Sequence, residues 1–478
     1  MALIRSLIII LALVMFLMFP PLLTAVILKE FFMVRAFLIP LLAAGIPALL
    51  VIILIPKRDA RLRVRDGFLM VFLIWILSAL AGSIPFYLSP LNLSIYDSIF
   101  ENACGFATTG ATTIKDVEAL PRSLLLWRSM GHWAGGMGII LLSVALMPLL
   151  GVGGFQLIKA EAPGPEKEKL SPRITEAAKI LWGVYCVFTM ILILLYRVGG
   201  MGWFDAVCHS FTVMSTGGVS TKNAGFAFFD SAFIDWVTVV FMLLGAMNFN
   251  LYYRLVRGKF RDFAQNTECK VFLFIFCAAA LVISLSLIPQ YGSWGKALRF
   301  GSFQAASILS STGNARTDYT AWPALAQVVL FCLLFIGGCS GSTAGGVKVI
   351  RHTVLFKQAG NELRRILYPR GVFSIRLNKK VGRKDVVYGV AGFVFLYFMI
   401  VGFTTLVTAA AGFDILTSFS AALCVTGNIG TGFGGIGPGH NYSAFPNYLK
   451  MLYSLVMITG RLELWTVFIL FTPEYWKR

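Results

Sequence analysis

Four uncharged apolar runs, residues 7–28, 37–55, 271–288 and 388–411, constrain this chain more than anything else in it. Each is long enough to cross a hydrocarbon core of about 30 Å as a helix. Within lipid, a backbone that is neither helical nor closed into a barrel leaves polar groups unsatisfied. Read along its length, the chain has ten expected spans: 4–28, 34–56, 67–89, 123–150, 176–199, 231–255, 270–289, 322–357 (interrupted), 385–411 and 445–472. The first begins with one basic residue, as a signal peptide does. No small-residue cleavage site follows and a second span comes close behind, so it is read as retained.

A composition 58% hydrophobic and 13% charged fits no ordinary soluble domain. The net charge of +19 raises the question of nucleic acid, and its distribution answers it. Assigning loops alternately to two sides puts 29 of the 41 Lys and Arg on one side, in 1–5, 57–65, 159–179, 254–270, 348–384 and 477–478. That asymmetry marks the cytoplasmic face of a multi-pass membrane protein, predicts both termini in the cytoplasm, and excludes nucleic acid as a partner.

Four Ser/Thr-rich turns, each following a short partly apolar segment, carry a glycine: Thr108-Thr109-Gly110, Ser215-Thr216-Gly217, Ser311-Thr312-Gly313 and Thr426-Gly427-Asn428. The glycines lie 107, 96 and 114 residues apart. The preceding segments, 97–107, 205–214, 299–310 and 414–424, are too short to span and are expected to dip into the membrane and return. Three begin with an aromatic-Asp pair, Tyr96-Asp97, Phe204-Asp205 and Phe413-Asp414, which suits a helix N-terminus. In the third, Arg299-Phe300 stands there, with Ser302 as the candidate cap. The expected fold is an all-α membrane protein with four pseudo-symmetric helix–pore-helix–loop–helix repeats around a central pore. The divisions are an N-terminal helix pair at 1–66, then repeats at 67–155, 156–258, 259–360 and 361–478. On the charge assignment all four loops face outward. Carbonyls from such loops can replace the hydration shell of a potassium ion, and glycine supplies the backbone angles that aim them.

The eighth span is interrupted by Gly337-Gly338-Cys339-Ser340-Gly341-Ser342-Thr343-Ala344-Gly345-Gly346, five glycines in ten residues. Glycine weakens a helix, so this run is expected to form a flexible loop beneath the four turns that blocks the path and moves aside to open it. The competing role, close helix packing through small residues, needs fewer glycines. Lys348 faces either the ion path or, more plainly, the membrane interface. Arg461 stands in an apolar helix whose nearest acid, Glu463, is two positions away and on another face. Its expected partners are carbonyls of the interrupted span. The stretch 348–384 holds eleven basic residues, enough to contact anionic lipid and to dock a cytosolic partner.

The eight cysteines are scattered without CxxC and read as small hydrophobes. No His/Asp/Glu cluster has metal spacing, and no nucleophile–base pair stands out, so the chain is not read as an enzyme. A symporter would carry mid-membrane acids. Glu101, Asp235 and Glu463 are the only candidates, which favours passive conduction over coupling to sodium or protons.

With these features in place the chain resembles the Trk/Ktr/HKT potassium transporters, most closely their bacterial TrkH/TrkG subunits. The resemblance rests on the four turns, the 338–351 stretch, Thr317-Asp318-Tyr319, Trp322-Pro323, Gly427-Asn428-Ile429-Gly430, Gly437-Pro438-Gly439 and Gly460-Arg461-Leu462-Glu463. It implies potassium uptake across the bacterial inner membrane, with K+ as the transported ion held at the turns. No organic cofactor is expected in this chain. It also implies a homodimer and a cytosolic nucleotide-binding ring of TrkA type. Residues Gly338, Gly341, Ser342, Thr343, Gly345, Gly346, Lys348 and Arg461 are the expected gate.

Overall fold

The computed structural model describes residues 2–54, 64–150, 174–377, 380–381 and 384–477. The basic stretch 159–173, most of 57–65, Arg478 and the expected boundary at 155/156 lie outside the described residues. Among the described residues the architecture is all-helical apart from a two-residue antiparallel ladder pairing Arg376–Leu377 with Lys380–Val381.

Among the described residues six helices are long and apolar enough to cross a membrane: Leu3–Ile27, Phe31–Leu54, Arg65–Tyr87, Ala178–Val198, Thr267–Tyr291 and Val386–Ala410. Their outward faces carry large apolar side chains such as Leu54, Phe395, Phe403 and Leu406, as a lipid-facing surface requires. The first two precede four repeats of one plan. In each repeat an outer helix leads to a short pore helix, Ile95–Ala107, Trp203–Met214, Trp294–Leu309 or Ile415–Gly427. A turn and an inner helix follow. The pore helices form the centre of the core: Phe100, Ala103, Phe106, Ala206, Val213, Ala305, Ile308 and Leu423 are all fully buried.

The inner helices differ from the sequence expectation. All four break, where sequence predicts one interruption. Arg122–Leu150 is interrupted at Gly138 (φ 75°, ψ 137°). Ala232–Ala246 turns by 94° into Phe249–Val256, and Asn447–Arg461 by 108° into Trp465–Phe471. Ala324–Leu333 gives way to a non-helical run before Val349–Leu367. The sixth and tenth expected spans are therefore bent pairs. Asn248 caps the start of Phe249–Val256 by accepting from Asn250 N, whereas the last bend places Glu463 (φ 58°) and Leu464 (φ 54°) in the left-handed region. The helix Val349–Leu367 runs across the expected boundary at 360/361.

The pore-helix caps also differ in detail. In the first, Ser94 is the N-cap and Asp97 stands three residues inside, with Asp97 N donating to Ser94 Oγ (3.1 Å), as an N-cap requires, and Ser94 Oγ donating to Asp97 Oδ2 (2.6 Å). In the second, Gly202 is the N-cap with Asp205 in the first turn. Asp414 is itself the N-cap of the fourth and accepts from Thr417 N (3.0 Å). The third helix starts at Trp294, so Ser302 is mid-helix and not a cap; the helix extends about one turn further back than the repeat spacing implies.

Candidate ion filter and the loop beneath it

Each pore helix ends on a residue in the left-handed region: Thr108, Thr216, Ser311 and Asn428, with φ 52–55°. A non-glycine residue there costs roughly 1–2 kcal/mol, a strain that clusters at functional sites. The next residue donates its N–H back to the helix at equivalent positions: Thr109 to Cys104 O (3.0 Å), Gly217 to Thr212 O (2.7 Å), Thr312 to Ser307 O (2.8 Å) and Ile429 to Cys424 O (2.9 Å). The residue after that is a glycine of positive φ: Gly110 (82°), Gly218 (73°), Gly313 (76°) and Gly430 (83°). These two repeating geometries fix the register. The equivalent glycines of the second and fourth turns are thus Gly218 and Gly430, not Gly217 and Gly427. Gly427 is the last residue of its helix, and Thr426 within that helix donates to Ala422 O (2.7 Å). Thr-Gly remains helical there because the left-handed step is taken by Asn428.

The four glycines close a ring. A Cβ on Gly110 would stand 2.6 Å from Gly217 O. A Cβ on Gly218 would strike Thr312 O, on Gly313 Ile429 O, and on Gly430 Thr109 O. Each turn thus abuts the carbonyl that precedes the glycine of the next turn, from first to fourth and back to first. No side chain larger than hydrogen fits at any of the four places, which explains glycine beyond its backbone freedom. The helix C-termini bring their partial negative charge to this ring.

Side chains hold the ring. Asn428 Nδ2 donates to Thr109 Oγ1 (3.0 Å) and Met457 O (3.0 Å), and Thr431 Oγ1 to Gly313 O (2.9 Å). Tyr442 Oη donates to Gly430 O (2.9 Å) and Tyr319 Oη to Gly432 O (2.7 Å). Four residues before the left-handed caps stand Cys104, Thr212, Ser307 and Cys424. Three of them donate to the carbonyl just past the glycine: Cys104 to Ala111 O (2.9 Å), Ser307 to Asn314 O (2.6 Å) and Cys424 to Thr431 O (3.2 Å). Cys104 and Cys424 are therefore more than small hydrophobes. Their recurrence at one helical position was the signal available in sequence.

The run 337–346 is non-helical and lies against this ring. Gly345 N donates to Ser311 Oγ (2.6 Å), and Thr216 Oγ1 to both Ser215 O (2.6 Å) and Thr343 O (2.9 Å). A Cβ on Gly345 would strike Gly427 O and the Asn428 side chain. The loop thus touches the caps of the second, third and fourth pore helices. Thr343 docks on the broken end of the second inner helix, its N donating to Gly245 O (3.2 Å) and its Oγ1 to the same oxygen (2.9 Å); Cys339 N donates to Ala246 O (2.8 Å). A helix end leaves such carbonyls orphaned. Gly341 and Gly346 have φ 70°; Gly341 O accepts from Phe249 N (3.0 Å) and Gly338 O from Val349 N (3.1 Å). Ser342 Oγ donates to Cys339 O (2.6 Å). Glu268 Oε1 accepts from Ser340 N (2.7 Å) and Ile350 N (3.1 Å), so one carboxylate grips both arms of the loop.

Arg461 ends its helix at the last bend. It donates to Thr343 O (2.6 Å) and to Gly135 O (2.8 Å) and Gly136 O (3.1 Å) beside the first inner helix's break. It joins the loop to the first repeat. Glu463 pairs elsewhere, with Arg351. Lys348 is buried and donates to Ala344 O, so it is not an interface lysine; the turn at Gly346 folds its side chain back onto the loop. Thr108 Oγ1 has no partner among the described residues, and Ser215 Oγ donates to Thr212 O (3.1 Å). Thr312 Oγ1 pairs with Ser310 Oγ (2.6 Å).

The profile of the TrkH family, described as cation transport protein, matches residues 42–478. The Trk system potassium uptake protein TrkH of Halomonas elongata is 37% identical over 470 residues, covering 96% of each chain. The protein of that name from Escherichia coli is 37% identical over 426 residues, covering 88% of each. The crystal structure of the potassium transporter TrkH from Vibrio parahaemolyticus superposes with TM-score 0.88 and 34% identity, covering 99% of this chain and all of that one.

Proposed function

The chain belongs to the TrkH family of cation transport proteins, and from that premise we propose that it takes up potassium across the bacterial cytoplasmic membrane through a channel-like pore. The glycine ring at Gly110, Gly218, Gly313 and Gly430 is its filter and the loop 337–346 its gate. The closed cycle of glycine–carbonyl approaches carries this reading. Four loops that touch head to tail form a ring of backbone oxygens of the kind that coordinates K+. The gate reading rests on the loop's contacts with three pore-helix caps and on the Arg461 bonds.

Passive conduction is favoured over symport because the buried acids are engaged. Glu101 pairs with Arg128 (3.2 Å), Asp235 with Arg299 (2.6 Å) and Arg316 (3.0 Å), Glu463 with Arg351, and Glu268 with two backbone N–H groups. A proton relay needs a carboxylate that can exchange protons. Membership of a Trk system supports a homodimer with both termini cytoplasmic, gated by a cytosolic nucleotide-binding ring of TrkA type. The test is the reversal potential of the purified chain in liposomes, with potassium, sodium and proton gradients varied separately. A potential that follows the potassium gradient alone supports conduction; one that moves with sodium or protons at fixed potassium supports a symporter.

A further inference from the structure

Counting back seven residues from the four left-handed caps gives Glu101, His209, Gln304 and Ala421, four different chemistries at one place behind the ring. In the first repeat Glu101 Oε1 accepts from Thr113 N (2.5 Å), Thr112 Oγ1 (2.7 Å) and Thr113 Oγ1 (3.2 Å), the limb leaving Gly110. Its other oxygen takes Arg128 Nε (3.2 Å). Arg128 Nη1 then donates to Ser220 O (3.1 Å), two residues past Gly218. His209 Nε2 meets Ser220 Oγ (2.9 Å), and its Nδ1 donates to Asp205 O (2.8 Å). Arg128 and Glu101 are buried to 4% and 1% side-chain exposure. In the third repeat Gln304 has no partner for either amide atom among the described residues, and in the fourth Ala421 offers none. One planar guanidinium thus joins the descending limbs of the first and second turns, while Gln304 and Ala421 supply no carboxylate at the Glu101 position of the third and fourth repeats; Arg316, three residues past Gly313, pairs instead with Asp235 of the second inner helix (3.0 Å). At the joint it spans, a Cβ added to Gly110 would stand 2.6 Å from Gly217 O, the least close of the four such approaches around the ring.

We propose that Arg128 is a positioning residue for ion specificity. Its rigid fork holds the first and second turns apart and stops them closing around an ion smaller than potassium. This rests on the reading of the ring as the filter. Arginine suits the task because its donors have fixed relative directions and its charge is balanced by Glu101. Without the brace the two turns follow whichever ion occupies them, and sodium is admitted more readily.

The test measures the sodium-to-potassium permeability ratio of the full chain in liposomes for Arg128→Lys, Arg128→Met, the double variant Glu101→Gln/Arg128→Met, and Gly430→Ala as a probe of the ring. The ratio is expected to rise roughly tenfold in Arg128→Met and less in Arg128→Lys, with potassium flux per protein retained. Where an uncompensated Glu101 prevents folding of the single Met variant, Arg128→Lys keeps the counter-charge and the double variant removes both charges, so the ratio is still read. A wild-type ratio in every folded Arg128 variant, beside an altered ratio in Gly430→Ala, overturns the proposal alone. A wild-type ratio in Gly430→Ala as well overturns the filter reading beneath it.

Discussion

On the proposed gate reading, Arg461 is the side chain that holds the loop in place. A hydrogen bond from a charged donor contributes about 1.5–3 kcal/mol, and 1.4 kcal/mol shifts an equilibrium tenfold. Arg461 makes one such bond to the loop at Thr343 O and two to the first repeat at Gly135 O and Gly136 O. Arg461→Ala is therefore expected to raise rubidium uptake per protein severalfold in liposomes; poor expression with no gain in uptake would assign Arg461 to folding alone. Glu463 engages Arg351, not Arg461. Glu463→Gln removes a separate contact at a neighbouring position, and a double-mutant cycle of uptake rates with Arg461→Ala measures how far the two sites couple.

At the scale of elements, the loop 337–346 is the piece proposed to move. Its Gly341 and Thr343 carbonyls are satisfied by groups on other repeats and its Gly338 and Ala344 carbonyls by Val349 and Lys348 just beyond it, so removing part of it takes away no hydrogen bond within a pore helix. Deleting several residues between Gly341 and Gly345 is expected to raise flux and loosen its dependence on a regulator; wild-type or lower flux in rubidium uptake would contradict the gate. This loop was legible in sequence because five glycines in ten residues leave a helix no means of persisting. The other three inner-helix breaks were not. Asn248 is one polar residue inside a largely apolar run, and Glu463 reads in sequence as a mid-membrane acid beside Arg461, so neither announces a bend. The fourth turn was misregistered for a related reason. Thr426-Gly427 repeats the dipeptide of the other turns, but what defines the turn is the left-handed residue with a glycine two places on, and only the backbone shows that Asn428 takes that place. Arg461's link to the loop was foreseeable from the cost of an isolated charge among apolar residues, whereas Glu268, Arg128 and the tyrosines became visible only when distant segments were brought together.

For the whole molecule, four repeats joined head to tail make each turn depend on both neighbours. Helix Val349–Leu367, which follows the loop 337–346, carries exposed Phe356, Leu363 and Ile366 beside its basic residues, a surface for the proposed nucleotide-binding regulator. Gentle purification from the native host is expected to recover two copies of the chain with a soluble nucleotide-binding protein; an intact complex containing this chain alone would remove the regulator. The ring itself is tested most directly by the potassium-to-sodium permeability ratio of Gly430→Ala beside Gly427→Ala in liposomes. Alanine at 430 meets both a positive φ and Thr109 O, whereas at 427 it sits at a helix end against Tyr397 Oη (3.1 Å) and the Ile429 side chain. Expected is a collapse of potassium preference in Gly430→Ala with most of it kept in Gly427→Ala. Preference retained at 430, or lost only at 427, would contradict the ring as the filter.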